Sequence, residues 1–202
     1  MSSRTAKIAS QIFVQARLYG SLLTGKKDIS TMTIRTATLA DLENILPIYS
    51  YARKQMALNG NPTQWGSSHP SIDVLTDDIN NANLYLIEEN EKPVGVFAFI
   101  IGTEPTYQEI DGEWPNELPY GTIHRIASNG EVNGILKKCL DFCASLLPNI
   151  RIDTHKNNAV MRHLLEKEGF QTCGIIYVED GSPRIAYQKM FFSSFAAPRI
   201  SG

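Results

Sequence analysis

The chain has 202 residues, 43% of them hydrophobic and 20% charged, which suits one well-buried domain, and no apolar run approaches the ~20 residues of a membrane span. Its net charge of −2 is uneven: residues 1–31 carry five basic side chains against Asp28 and Arg199 adds one more near the end, so the body between them is strongly acidic. An acidic body excludes a nucleic-acid binder that depends on a basic face.

In residues 1–31, Ile8, Ile12, Phe13, Ala16, Tyr19 and Leu22 have helical spacing with basic residues between them. A membrane-surface helix, a transit peptide and an appended segment ahead of a start at Met32 all fit this pattern. The segment is read as an N-terminal extension, and membrane contact is not expected. A first strand opens at Met32. Thr38 then caps a helix with Asp41 in its first turn, and Leu42, Ile45, Leu46, Ile48 and Tyr49 give it an apolar face as far as about Leu58. Asn59-Gly60-Asn61-Pro62 ends that helix. A second, shorter helix runs from about Ser71 to Asn81. Leu84 to Ile87 and Val94 to Ile101 read as a strand pair joined by Glu89 to Pro93.

A polar connection rich in Gly and Pro covers Gly102 to Pro119, and a fourth strand covers Gly121 to Ala127. Val132 to Leu147 predicts a helix ended by Pro148. Its Cys139 and Cys143 are four apart with no ligand partners nearby, so core thiols in a reducing cytoplasm are expected rather than a zinc site or disulfides. Ile150, Ile152 and Thr154 alternate as a strand. Asn157 or Asn158 can cap the next helix, whose stripe is Val160, Met161, Leu164 and Leu165 and whose left-handed stop is Gly169. Phe170 to Tyr177 and Arg184 to Met190 close as a hairpin, and residues 191–202 form a tail.

Strand, Asn-capped helix and Gly-Phe, in Ile150 to Phe170, resemble the last block of the GNAT superfamily, the acetyl-CoA-dependent N-acyltransferases. The resemblance covers residues 32–190 and extends to the order β-α-α-β-β-β-α-β-α-β-β. It implies an α+β fold with a mixed, mostly antiparallel sheet of about seven strands and helices on both faces. It also implies a cytoplasmic enzyme that moves an acetyl group from acetyl-CoA to a primary amine of a small molecule or peptide. The alternative function is a module of this fold that binds coenzyme A or another ligand without turnover. The resemblance allows a homodimer.

The loop Ser128 to Lys138 stands between a strand and a helix, where backbone N–H groups and the helix dipole can hold a phosphate. A plain strand-to-helix turn would use the same glycines for geometry. The family pattern, Arg/Gln-x-x-Gly-x-Gly/Ala, falls on Glu131, Gly134 and Leu136, of which Gly134 matches. By resemblance, Asn133, Gly134 and Ile135 would bind the pyrophosphate of coenzyme A, and Ile126, Ala127 and Asn158 its pantetheine arm. Asn158 can serve equally as a simple helix cap.

The family often places a glutamate base near the start of the fourth strand, where this chain has Gly121 and Thr122. Its usual tyrosine acid falls on Leu165. His124 is the nearest side chain with a suitable pKa, as base or as a structural histidine. Strict alternation would send Ile123 and Arg125 to one face and Thr122, His124 and Ile126 to the other. Trp65, in Asn61-Pro-Thr-Gln-Trp-Gly, is either an acceptor platform or a plug under its loop. Glu104, Glu109, Asp111, Glu113 and Glu117 either draw a cationic amine or line a solvated loop.

Overall fold

Val94 to Ile101 is an apolar run with no polar alternation, as a strand covered on both faces requires. In the computed structural model, which describes residues 32–191, six consecutive residues from Val94 to Phe99 are buried. The expectations about residues 1–31 and about the tail beyond Phe191 lie outside the described residues.

The strands are β1 (Met32–Thr36), β2 (Leu84–Glu89), β3 (Lys92–Ile101), β4 (Asp111–Gly112), β5 (Gly121–Ser128), β6 (Asn149–Thr154), β7 (Gln171–Tyr177) and β8 (Pro183–Met190). The helices are α1 (Leu42–Leu58), α2 (Ile72–Asn80), α3 (Ile135–Leu146) and α4 (Ala159–Lys167). All eight strands form one sheet in the order β1-β2-β3-β5-β6-β8-β7-β4, antiparallel except for β5 beside β6. Ile45, Ile48 and Tyr49 of α1 and Leu75 of α2 pack on Leu84, Leu86, Val96 and Ala98. On the other face, Cys139, Leu140 and Cys143 of α3 and Leu165 of α4 pack on Phe97, Phe99, Ile123, Ile150 and Ile152. Each large side chain so buried contributes about 1.5–3 kcal/mol. Cys139 and Cys143 are free thiols inside this core, as expected. Among the described residues no helix is long and apolar enough to cross a membrane.

Several boundaries differ from the sequence reading. The sheet has eight strands rather than seven, because Asp111–Gly112 pairs with Ile175 and Gly174 of β7. The β2–β3 turn is only Asn90 and Glu91, both left-handed at φ +52° and +65°, so Lys92 and Pro93 belong to β3. The first turn after Thr38 is a 3-10 turn, Leu39–Asp41, which runs on into α1. Thr38 donates to Asp41 Oδ2 from its backbone N–H and from its hydroxyl, both at 2.8 Å. Helix α3 starts at Ile135 rather than Val132, since Gly134 holds φ +83°, a conformation that ends a helix instead of continuing it.

The largest departure is in β5. It pairs with β6 at only two register positions, Gly121 with Ile150 and Thr122 with Arg151, and beyond them the two strands part. Against β3, the register steps from His124 opposite Ala98 to Ala127 opposite Val96, so Phe97 faces both Arg125 and Ile126. Arg125 is the bulged residue, left-handed at φ +53°. The bulge breaks the expected alternation. Ile126 rejoins Ile123 against the α3 and α4 cluster, and Ala127 packs in the α1 cluster. Arg125 instead grips Asp78 of α2 with two hydrogen bonds of 2.9 and 2.7 Å, and its carbonyl accepts from the Tyr49 hydroxyl at 2.9 Å.

Candidate active site

The parting of β5 from β6 opens a cleft of about 980 Å³. Its walls are β5 from Ile123 to Ser128, the end of β6, the first turns of α3 and α4, the loop after α1, and the β7–β8 turn. A strand edge that loses its neighbour presents backbone N–H and C=O groups that an extended ligand can pair with. Below the parting, β5 turns this edge into the cleft.

His124 lines the cleft, and its Nε2 lies 3.0 Å from Glu104 Oε2. Both side chains are largely buried, at 17% and 16% exposure. Glu104 is fixed in turn, since Oε1 accepts from the backbone N–H and the hydroxyl of Thr106 at 3.3 and 3.0 Å. The hydrogen bond to His124 holds the Glu104 carboxyl below its ordinary range despite the opposing effect of burial. With Nε2 bound to a carboxylate, Nδ1 is the ring nitrogen left to accept a proton. Asp153, on the parting end of β6, lines the same space. It accepts from the Tyr107 hydroxyl at 2.8 Å, and burial pushes its carboxyl up.

The other expected positions divide. Ile126, Ala127, Ile135 and Asn158 line the cleft, whereas Asn133 and Gly134 are exposed at the mouth of α3 and do not. They stand outside because the left-handed Gly134 turns the chain just before the helix begins. No side chain caps α3, so its first amides keep their capacity to bind an anion. That arrangement fits a pyrophosphate. Around it, Asn129 Oδ1 already accepts from Glu131 N at 3.0 Å, and Lys137 is paired with Asp141 at 3.0 Å. Leu136 packs in the core and also lines the cleft beside Ile135.

Asn158 is a true N-cap, its Oδ1 accepting from Met161 N at 3.2 Å. Its amide nitrogen donates to Gln64 Oε1 at 3.2 Å, an oxygen that also accepts from Asn61 at 2.7 Å and from Thr154 at 3.5 Å. Gln64 thereby ties the loop after α1 to the far wall. Trp65 lines the cleft and also stands edge-on to Tyr49, with ring centroids 5.7 Å apart, so it is at once wall and plug. Leu165 is fully buried. Of the five loop carboxylates only Glu104 reaches the cleft; Glu109, Asp111, Glu113 and Glu117 are exposed elsewhere, as a solvated loop would have them.

Sequence reasoning missed the pairing of Glu104 with His124, and also Gln64, His69, Asp153 and Arg184 as lining residues. His69 lies in the loop after α1, where burial lowers its pKa. Nothing local marks these residues. They come together through the loop after α1, the 102–120 connection and three separate strands.

No family model and no curated protein matches the sequence. Solved structures do. An acetyltransferase of the GNAT family from Streptococcus agalactiae is 30% identical, with 80% of this chain and 96% of that one covered at a TM-score of 0.73. A GNAT-family acetyltransferase from Listeria monocytogenes is 21% identical over 79% of this chain and 95% of its own, at a TM-score of 0.59. A Salmonella typhimurium protein solved with its cofactor acetyl-CoA is 17% identical, covering 84% of this chain and 99% of its own at a TM-score of 0.51.

Proposed function

We propose that this chain, which belongs to the GNAT family of acetyltransferases, transfers an acetyl group from acetyl-CoA to a primary amine, with His124 as the base. The observation that carries this reading is the cleft itself. A strand parts from one neighbour, bulges against the other, and leaves backbone groups facing a space floored by a carboxylate-bound histidine.

Acetyl-CoA is the acyl donor and supplies the thioester. The edge of β5 at Ile126 and Ala127 would pair with the pantetheine arm, and the uncapped amides of α3 would hold the pyrophosphate. A backbone N–H of β5 would polarise the thioester carbonyl. His124 Nδ1 takes a proton from the ammonium or the attacking amine. The amine nitrogen then forms its bond to the acyl carbon as the carbon–sulfur bond breaks. Glu104 holds the imidazole in one tautomer and orientation. Water protonates the departing thiolate, because Leu165 is buried and has no proton to give. Holding both reactants side by side supplies much of the rate. The acetyl-CoA complex of the Salmonella typhimurium protein supports the choice of donor by fold alone.

A second reading, coenzyme A binding without turnover, is favoured by the aliphatic Leu165 and by the Asn158 amide already given to Gln64. Release of free thiol from acetyl-CoA, followed across a panel of primary amines, tests the first reading. Amine-dependent release is expected. Coenzyme A binding with no release for any amine would leave the second reading in its place.

A further inference from the structure

We propose that the acceptor of this reaction carries a carboxylate as well as its amine, and that Arg184 binds that carboxylate. The inference rests on the acetyl-transfer reading, since it names the substrate class of the same cleft.

Arg184 stands at the start of β8 and lines the cleft. Strand register places it. Thr122 lies opposite Arg151, so His124 and Asp153, each two residues further along, share one face of the sheet. Asp153 lies opposite Ala186, so Arg184, two residues back along β8, shares that face as well. Three neighbouring strands thus bring a histidine, a carboxylate and a guanidinium to one side of one cleft.

Of the two arginines that line the cleft, Arg125 is paired with a carboxylate and Arg184 is not. Arg35 and Arg125 each hold a carboxylate through two nitrogens. Arg184 is only 9% exposed, yet no carboxylate lies within ion-pair distance of it among the described residues. Nη1 alone is engaged, donating to Ser182 Oγ at 3.0 Å and to the Pro183 carbonyl at 3.1 Å, both neutral. Nε and Nη2 make no hydrogen bond to the described residues, and neither is among the fully buried unpartnered atoms. Fastening the β7–β8 turn needs no more than Nη1. A guanidinium held by one nitrogen, with its fork open, is arranged for a planar, two-oxygen anion.

The rest of the cleft sets the charge of that anion. Glu104, Asp153, Glu179 and Asp180 line the same space and oppose a dianionic phosphate more than a single carboxylate. On the histidine side, Glu104 favours a cationic amine beside His124. Anion at Arg184 and ammonium at Glu104 describe one molecule, an amino acid or a similar aminocarboxylic acid.

The test uses alanine, leucine, phenylalanine, glutamate and lysine, each with its carboxamide, as paired probes of the full chain. Binding to protein saturated with coenzyme A is measured by calorimetry, and thiol release from acetyl-CoA is measured in parallel. At least one free acid should bind and react tenfold or more better than its amide, and Arg184→Gln should remove that preference, bringing the ratio of acid to amide close to one. Acids that bind better than amides while no thiol is released would uphold Arg184 and remove the acetyl-transfer reading. Thiol release with amides as good as acids would overturn the assignment of Arg184 and leave acetyl transfer standing. No preference in either readout, or a preference that survives Arg184→Gln, also overturns it. If that variant does not fold, the comparison of acid with amide on the unmodified chain still decides.

Discussion

Replacing Arg125 with glycine should destabilise the domain even though it relieves backbone strain. Arg125 is left-handed at φ +53°, a conformation that costs a non-glycine residue about 1 kcal/mol and that glycine adopts freely. Against that gain stands the loss of its ion pair with Asp78, where the two side chains are only 15% and 9% exposed. Removing one partner of a buried pair costs about 3–5 kcal/mol, because the other charge is left without compensation. The net loss is ~2–4 kcal/mol near neutral pH, or roughly 5–15 °C in melting temperature for a domain of this size. The loss should also depend on pH. Burial already pushes the Asp78 carboxyl up, and Arg125 only partly offsets it, so in the variant it should rise further. A carboxyl raised above its unfolded value of ~3.9 weakens the fold as pH rises through that range. The deficit should therefore be smallest near pH 4 and largest at pH 7. Urea unfolding at both pH values measures it. Adding Asp78→Asn to the glycine variant should restore much of the stability, since a neutral amide needs no counter-ion. A single glycine variant as stable as the parent at pH 7 would refute the claim that this ion pair holds the bulge, and with it the cleft, in place.

Other substitutions probe separate parts of the account. His124→Gln should lower turnover by roughly a hundredfold while coenzyme A affinity stays unchanged, and Glu104→Gln should cause a smaller fall; an unchanged rate in His124→Gln would give the proton to water. The Arg35 hydrogen bonds hold the Asp41 carboxyl well below the usual carboxylate range, so its stabilisation is present above ~4 and is lost as pH falls through its lowered value. Asp41→Asn should thus cost ~1 kcal/mol at pH 7, modest because Arg35 is 42% exposed, and less at pH 3; an equal cost at both pH values in urea titrations would count against this. Thr122 Oγ1 is buried with no hydrogen-bond partner among the described residues, so Thr122→Val should raise stability by about 1 kcal/mol in the same assay, and a fall would point to a missed partner.

The order of helices and strands was legible because each carries its own period, from the α1 stripe to the unbroken run of β3. The boundaries that shifted depend on distant backbone. β4 exists because Gly112 and Gly174 approach so closely that a Cβ on Gly112 would meet the Cys173 carbonyl at 2.2 Å, and nothing near Asp111 announces that contact. Thr-Ile-His-Arg-Ile-Ala reads as plain alternation, because the bulge falls on an arginine held by Asp78, 47 residues earlier, rather than on a glycine. The sequence marked His124, Trp65 and Asn158 by residue type and setting. It showed Glu104 only as one of five loop acids, because its approach to His124 is set by the path of the 102–120 connection. Arg184 was legible only as the first residue of a strand, since the faces it shares with Asp153 and His124 are fixed by register across three strands.

The most direct test of the central claim is thermal unfolding of the chain in rising concentrations of coenzyme A. A ligand that binds only the folded state stabilises it by mass action, by about 2.7 kcal/mol at a hundredfold excess over Kd, which is roughly 5–10 °C here. The account predicts a melting temperature that climbs with the logarithm of coenzyme A concentration. It also predicts that Gly134→Asp, which sets a negative charge at the mouth of α3 and a side chain at φ +83°, largely abolishes the climb. A melting temperature unmoved at millimolar coenzyme A would contradict the account and take acetyl-CoA chemistry out of this cleft.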